Sequence, residues 1–246
     1  MGPLPDPVDE GERIAAAAAE RSLPLRLLGG VAVALRCPSS RLPPLRREYA
    51  DIDFATVGAA KEETVALMGR LGYEPDREFN MIHGNRRLYF RDPTTRRHID
   101  VFVDEANLCH RLVLRRRIEV APLTLPLADL TVLKLQVVET NEKDYLDLCA
   151  LLADHDLSAD ESGINVSYIA GLVASDWGLW RTSQMVAERT ERFARERPGF
   201  AAGDVVVQRL GRLRGELDKV PKTRGWKLRA RVGERKRWYE LPEEVH

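Results

Sequence analysis

At 246 residues and 44% hydrophobic content, the chain has material for one large domain, or for a catalytic domain with a helical extension, and its composition excludes disorder as the default. Lysine plus arginine and aspartate plus glutamate balance at 38 each, yet 12 basic and 3 acidic residues stand between Arg209 and Arg237, so an acidic body carries a basic arm of the kind that meets polyanions. Cys37, Cys109 and Cys149 are odd in number and lack CxxC spacing, which argues for reduced, buried thiols and against a disulfide framework or a zinc site.

The N-terminus, Met-Gly-Pro-Leu-Pro-Asp-Pro, has no positive region ahead of an apolar stretch, so no signal peptide is expected. No apolar run approaches the ~20 residues of a membrane span. The expected location is the cytoplasm, with no membrane partner.

In chain order, the Ala-rich segment Glu10–Arg21 predicts a helix. Pro24–Leu28 predicts a short buried strand, and a helix starts at Gly30 and runs to Leu35. Cys37–Arg47, with its prolines and arginines, predicts a loop leading to a strand at Tyr49-Ala-Asp-Ile-Asp-Phe54. Lys61–Leu71 predicts a helix closed by Gly72. Phe79–His83, Arg86–Phe90 and Arg97–Val103 have strand character, and the turn Asp92-Pro-Thr-Thr between the last two predicts an antiparallel pair. After Pro126 the period changes. Leu127, Leu130, Leu133, Val137 and Val138 form one helical stripe, and Tyr145, Leu148, Cys149 and Leu152 another. Helices then dominate Ile164–Arg195 and Val205–Leu217. The expectation is an α+β arrangement: a small mixed sheet flanked by helices, then an α-helical C-terminal domain. The expected bounds are 1–125 for a catalytic domain, 126–218 for a helical domain and 219–246 for a basic tail.

The chemistry concentrates at Asp51 and Asp53. Side chains alternate along a strand, so these two carboxylates share a face while Ile52 and Phe54 turn to the core. Like charges that close repel, and a cation between them resolves the conflict. His98-Ile-Asp-Val-Phe-Val-Asp104 alternates again and offers a third acid, Asp100. Asp104 shares that face, but it precedes Glu105-Ala-Asn and so borders a loop. Acids of this kind behind a Gly29-Gly30 turn point to a magnesium-dependent phosphate site.

Phosphoryl or nucleotidyl transfer to a hydroxyl requires the triphosphate held, the attacking oxygen in line, and developing charge neutralised. Two magnesium ions do this with oxygen ligands. Asp51 and Asp53 would bind both ions, and Asp100 would complete the one beside the nucleophile and accept its proton. Gly29 and Gly30 would bring backbone N–H groups to the phosphates, at a helix N-terminus that favours anions.

These residues resemble a known family. Leu27-Leu-Gly-Gly-Val-Ala-Val-Ala-Leu35, Asp51-Ile-Asp53 and Ile99-Asp-Val101 look like the signature of the polymerase-β-like nucleotidyltransferase superfamily. Leu133-Lys-Leu135 followed by Asn141-Glu-Lys-Asp-Tyr-Leu-Asp147 is similar to the Lys … Lys-Asp-x-x-Asp helix pair of AbiEii-type nucleotidyltransferases, the toxins of type IV toxin–antitoxin systems. The match covers roughly residues 25–155. It departs from the family in a long Gly30-to-Asp51 interval and in Asn141, where relatives often place an arginine. The resemblance implies the nucleotidyltransferase fold, a nucleoside triphosphate substrate (ATP among them) and an RNA acceptor such as tRNA. It also implies an antitoxin protein as partner, and a nucleotide-binding set that adds Lys134, Lys143, Asp144 and Asp147 to the glycines.

Plainer readings compete. Lys134 fits a surface lysine lying along an apolar stripe, and Lys143, Asp144 and Asp147 fit a charge cluster on a solvated helix face. His98 fits a strand-surface histidine, and Asp176-Trp-Gly-Leu-Trp180 a core helix junction. The basic tail, with Trp226, Trp238 and Tyr239, fits either a solvated arm or a nucleic-acid contact. A small-molecule acceptor such as an aminoglycoside, a protein acceptor, or a catalytically silent partner-binding module are the alternatives for the whole chain.

Overall fold

The computed structural model describes residues 2–241. It divides into two compact units, each described by itself. The first comprises Met1–Arg36, Glu48–Ala106 and Leu112–Pro126; the second comprises Cys37–Arg47, Asn107–Arg111 and Leu127–His246. The last residues of the expected basic tail, 242–246, lie outside the described residues.

The first unit is built on a mixed sheet of five strands, β1 (Leu25–Leu28), β2 (Ile52–Thr56), β3 (Glu74–Pro75), β4 (Arg87–Arg91) and β5 (His98–Val103), in the order β1-β2-β5-β4-β3. β2 and β5 run parallel, and the other pairs are antiparallel. Side chains alternate between two faces that are both largely buried. Leu25, Leu27, Ile52, Phe54, Ile99 and Val101 are fully buried on one face, and helices α1 (Pro7–Ala19) and α2 (Gly29–Arg36) cover it. Gly11 of α1 lets the helix close on that face, where a Cβ would stand 2.7 Å from Val31 Cγ1 and 3.1 Å from Leu27 Cδ2. The free edge of β1 is paired too: Leu27 N–H donates to Leu123 O and Leu125 N–H to Leu27 O, which removes an exposed strand edge.

Helix α1 begins three residues earlier than its alanine run suggests. Asp6 accepts hydrogen bonds from the Val8 and Asp9 amides at 2.8 and 3.0 Å, and Pro7 fills the first helical position. Helix α3 (Lys61–Arg70) matches its sequence signals. The segment Phe79–His83 does not. It lies in helix α4 (Arg77–His83), because Asp76 caps the Phe79 amide at 2.9 Å and Phe79 stacks on His83 one turn later, with ring centroids 4.7 Å apart. Within the expected loop Cys37–Arg47, Pro38–Arg41 form a 3-10 turn.

The second unit is mostly helical: α5 (Leu127–Leu135), α6 (Glu142–Asp154), α7 (Val166–Ser175), α8 (Trp177–Glu196), α9 (Gly203–Lys219) and α10 (Arg224–Val232). Asn141 opens α6 with a capping box, its side chain accepting from the Lys143 amide while Asp144 accepts from the Asn141 amide. Asp176 caps α8 at the Leu179 amide, and in the tryptophan-rich junction Trp177 and Leu179 are buried while Trp180 is half-buried. Cys37, Cys109 and Cys149 are free and buried. Among the described residues no helix is long and apolar enough to cross a membrane.

Candidate active site

The face of the sheet opposite α1 and α2 carries the acids. Register sets Asp53 beside Asp100 on the parallel pair, Leu28 beside Asp53, and Tyr89 beside Asp100. Asp51 stands exposed just ahead of β2, Asp53 is half-buried and Asp100 is buried. The 51/53 alternation therefore holds, with fully buried Ile52 and Phe54 on the other side.

Gly29, the first residue of α2, borders the site directly after β1. Its φ is +68°, and a Cβ there would lie 2.1 Å from Asp53 Oδ2. Both the turn from strand to α2 and the approach of Asp53 demand glycine. Gly29→Ala should therefore cost about 1–2 kcal/mol and push the Asp53 carboxylate out of place. Gly69→Ala, inside α3 where a Cβ meets nothing within 4 Å, should gain up to about 1 kcal/mol. Thermal melts of the two variants give the comparison.

Asp100 is held by Arg87 across the β4/β5 hairpin. The guanidinium Nε lies 2.7 and 2.8 Å from the two carboxylate oxygens, and Nη2 also donates to Oδ2. Arg87 sits over the Phe102 ring at 5.1 Å, while Tyr89 packs edge-on against His98 at 5.0 Å. Burial pushes the Asp100 pKa above the ordinary carboxylate value. The Arg87 hydrogen bond and charge oppose that rise, and Asp51 adds to it. No local motif in the sequence singles out Arg87. The signal was the hairpin itself, since Asp92-Pro-Thr-Thr fixes a register in which Arg87 is a diagonal neighbour of Asp100. Arg87→Met should cost about 2 kcal/mol in urea unfolding, and clearly less in an Asp100→Asn background.

Asp104 is a turn residue. With φ at +63°, it accepts from the Gly58 amide and pairs with Arg115 at 2.8 Å, which holds its carboxyl below the usual range.

The donor set suits magnesium in kind: Asp53 and Asp100 lie on one face of two adjacent strands, with Asp51 just ahead of β2. Asp51 and Asp53 match the oxygen chemistry of such an ion, whereas at Asp100 a guanidinium already neutralises the acid. Among the described residues no group of three or more His, Cys, Asp or Glu side chains is gathered closely enough to hold a metal ion as it stands.

The other expected residues belong to the second unit. The Lys134 ammonium lies 3.0 Å from Asp144 Oδ1 and 2.8 Å from Asp147 Oδ2. Arg47 binds Asp147 side-on, at 2.8 and 2.9 Å. Asp147 is 1% exposed at its side chain and Lys134 13%, so this is a buried ion network rather than a solvated cluster or a lysine lying along the surface. Burial drives the Asp147 pKa up, but Lys134 and Arg47 outweigh it and hold the carboxyl below its ordinary value. For Lys134 burial works downward, and Asp147 with Asp144 raises it above the usual lysine value. Lys143 stands exposed.

A scan of the chain against protein-family models found no match. A search among curated proteins found no match either.

Proposed function

We propose that the acid face of the sheet is the active site of a magnesium-dependent nucleotidyltransferase with the polymerase-β-like fold, which moves NMP from a nucleoside triphosphate to a hydroxyl. The observation that carries this reading is the in-register pair Asp53 and Asp100, with Asp51 beside them and Gly29 pressed against the Asp53 carboxylate. A sheet that holds three acids on one face, next to a glycine that admits no side chain, suits a cationic or phosphate-bearing ligand.

Magnesium held by Asp51, Asp53 and, once Arg87 turns away, Asp100 would neutralise the triphosphate and polarise the attacking oxygen. In the reaction the acceptor oxygen bonds to the α-phosphorus, the bridging α–β P–O bond breaks, and pyrophosphate leaves with that electron pair. The acceptor's proton passes to Asp100, a buried carboxylate on the same face as Asp53. The Gly29-Gly30 turn places the amides opening α2 beside Asp53, where they would meet phosphate oxygens. RNA is the favoured acceptor and an antitoxin protein a candidate partner, both from the similarity of the Leu133–Asp147 motifs to the AbiEii-type enzymes.

The Arg87–Asp100 pair favours a second reading, a silent module in which arginine permanently replaces the metal ion and the acid face binds a partner. Incubating the protein with each α-labelled NTP and magnesium, in total RNA and separately in total protein, tests both. Label entering RNA, with pyrophosphate released, is the expected result. Label in protein alone would move the acceptor to a side chain. No incorporation from folded protein would overturn the RNA reading.

A further inference from the structure

Helix α10 spans Arg224–Val232 with no buried residue. At 3.6 residues per turn, Arg224, Lys227 and Arg231 fall on one face, spread along about 10 Å of axis. All three are exposed, as are Arg235 and Lys236 just beyond.

The acids nearby are committed elsewhere. Glu234 pairs with Arg181, Glu216 with Lys219, and Asp218 accepts from the Trp180 indole and the Gln184 amide. Among the described residues, the five cations therefore have no carboxylate partner. The opposite face of α10 is tied down. Trp226 packs edge-on against Trp180 with centroids 5.3 Å apart, and Arg229 lies 4.7 Å over the Trp177 ring while donating to the Gly233 and Lys236 carbonyls. Trp238 is anchored likewise, its indole donating to Thr182 Oγ1 at 3.0 Å.

We propose that α10 is a docking surface for the phosphate backbone of a nucleic acid. A rigid row of uncompensated cations has the spacing and sign for successive phosphates. The tryptophans that would stack on bases are spent holding the helix, so recognition is electrostatic and independent of sequence. A membrane fits less well, because the exposed apolar surface of α10 is confined to Leu228 and Val232, one turn apart beside the cations, while Trp226 packs against Trp180. The inference stands on the charge of α10 and not on the acids of the sheet.

The test is fluorescence anisotropy of a labelled 20-nucleotide RNA, the matching single-stranded DNA, and flotation with phosphatidylserine vesicles, using the full chain without nucleotide. Binding to RNA or DNA should weaken with salt, with a log–log slope of about −2 to −3 for three phosphate contacts. Arg224→Gln/Lys227→Gln/Arg231→Gln should bind about tenfold weaker or worse and lose most of that slope. Arg224→Lys/Arg231→Lys should retain both. An Asp51→Asn/Asp53→Asn protein should bind like the parent, so failure of transfer and failure of docking are read separately. Absence of nucleic-acid binding, a slope unchanged in the triple variant, or capture by vesicles alone would overturn the proposal.

Discussion

Asp51→Asn/Asp53→Asn should lower nucleotidyl transfer by roughly a thousandfold or more while leaving the protein folded. The substitution keeps shape and removes only charge. Asp51 is exposed and Asp53 half-buried, so neither fills the core; that role belongs to Ile52 and Phe54 on the far side of the strand. With two of three like charges gone, the electrostatic cost at buried Asp100 falls, because Asp51 is one of the groups raising its pKa. The melting temperature should therefore stay within a few degrees of the parent or rise slightly. Initial rates from α-labelled NTP, with circular-dichroism melts of the same samples, make the measurement. Unchanged turnover in a folded variant would place the chemistry elsewhere and leave the acid face a binding surface.

The parts of this site legible from sequence were those that local rules govern. Strand alternation placed Asp51 and Asp53 on one face, and the hydrophobic pattern of His98–Val103 put Asp100 on a neighbouring strand. Neither rule gives the order of strands. That Asp53 and Asp100 meet directly depends on β2 and β5 being parallel neighbours, although β3 and β4 lie between them in sequence. The apolar residues of Phe79–His83 fit a strand, but Asp76 at the N-cap, three residues before Phe79, decides for helix. In sequence Arg47 is only the end of a Pro- and Arg-rich loop. Its bond to Asp147 joins residues 100 positions apart, and nothing local in either segment encodes that. Plain readings of Lys134 and its acids failed for the same reason. Helical spacing groups Lys143, Asp144 and Asp147 along one helix, but burial by other elements decides that Asp144 and Asp147 are interior while Lys143 faces water.

That burial makes Lys134→Met the most destabilising single change expected in the second unit. Removing the ammonium leaves Asp147 with Arg47 alone and Asp144 with no lysine, both inside the fold, and an uncompensated buried charge costs about 3–5 kcal/mol. Lys143→Met, on the exposed side of the same region, should change stability by no more than about 0.5 kcal/mol. Urea unfolding of both variants at pH 7 separates the two lysines. The pH dependence follows from the signs. Asp147 has a folded pKa below its unfolded value, so its contribution is fully present above the unfolded value of about 4 and is lost as pH falls through the folded one. Lys134 has a folded pKa above its unfolded value, so its contribution is fully present below about 10.4 and is lost as pH rises through the folded one. The parent should thus lose this network's stabilisation only at the two extremes, whereas Lys134→Met should lack the alkaline loss. Its melting temperature should already be depressed at pH 7 and should recover part of the gap as acid neutralises Asp147. A variant whose gap to the parent stayed constant from pH 3 to pH 9 would show that packing of the lysine stem, and not its charge, holds α5 against α6.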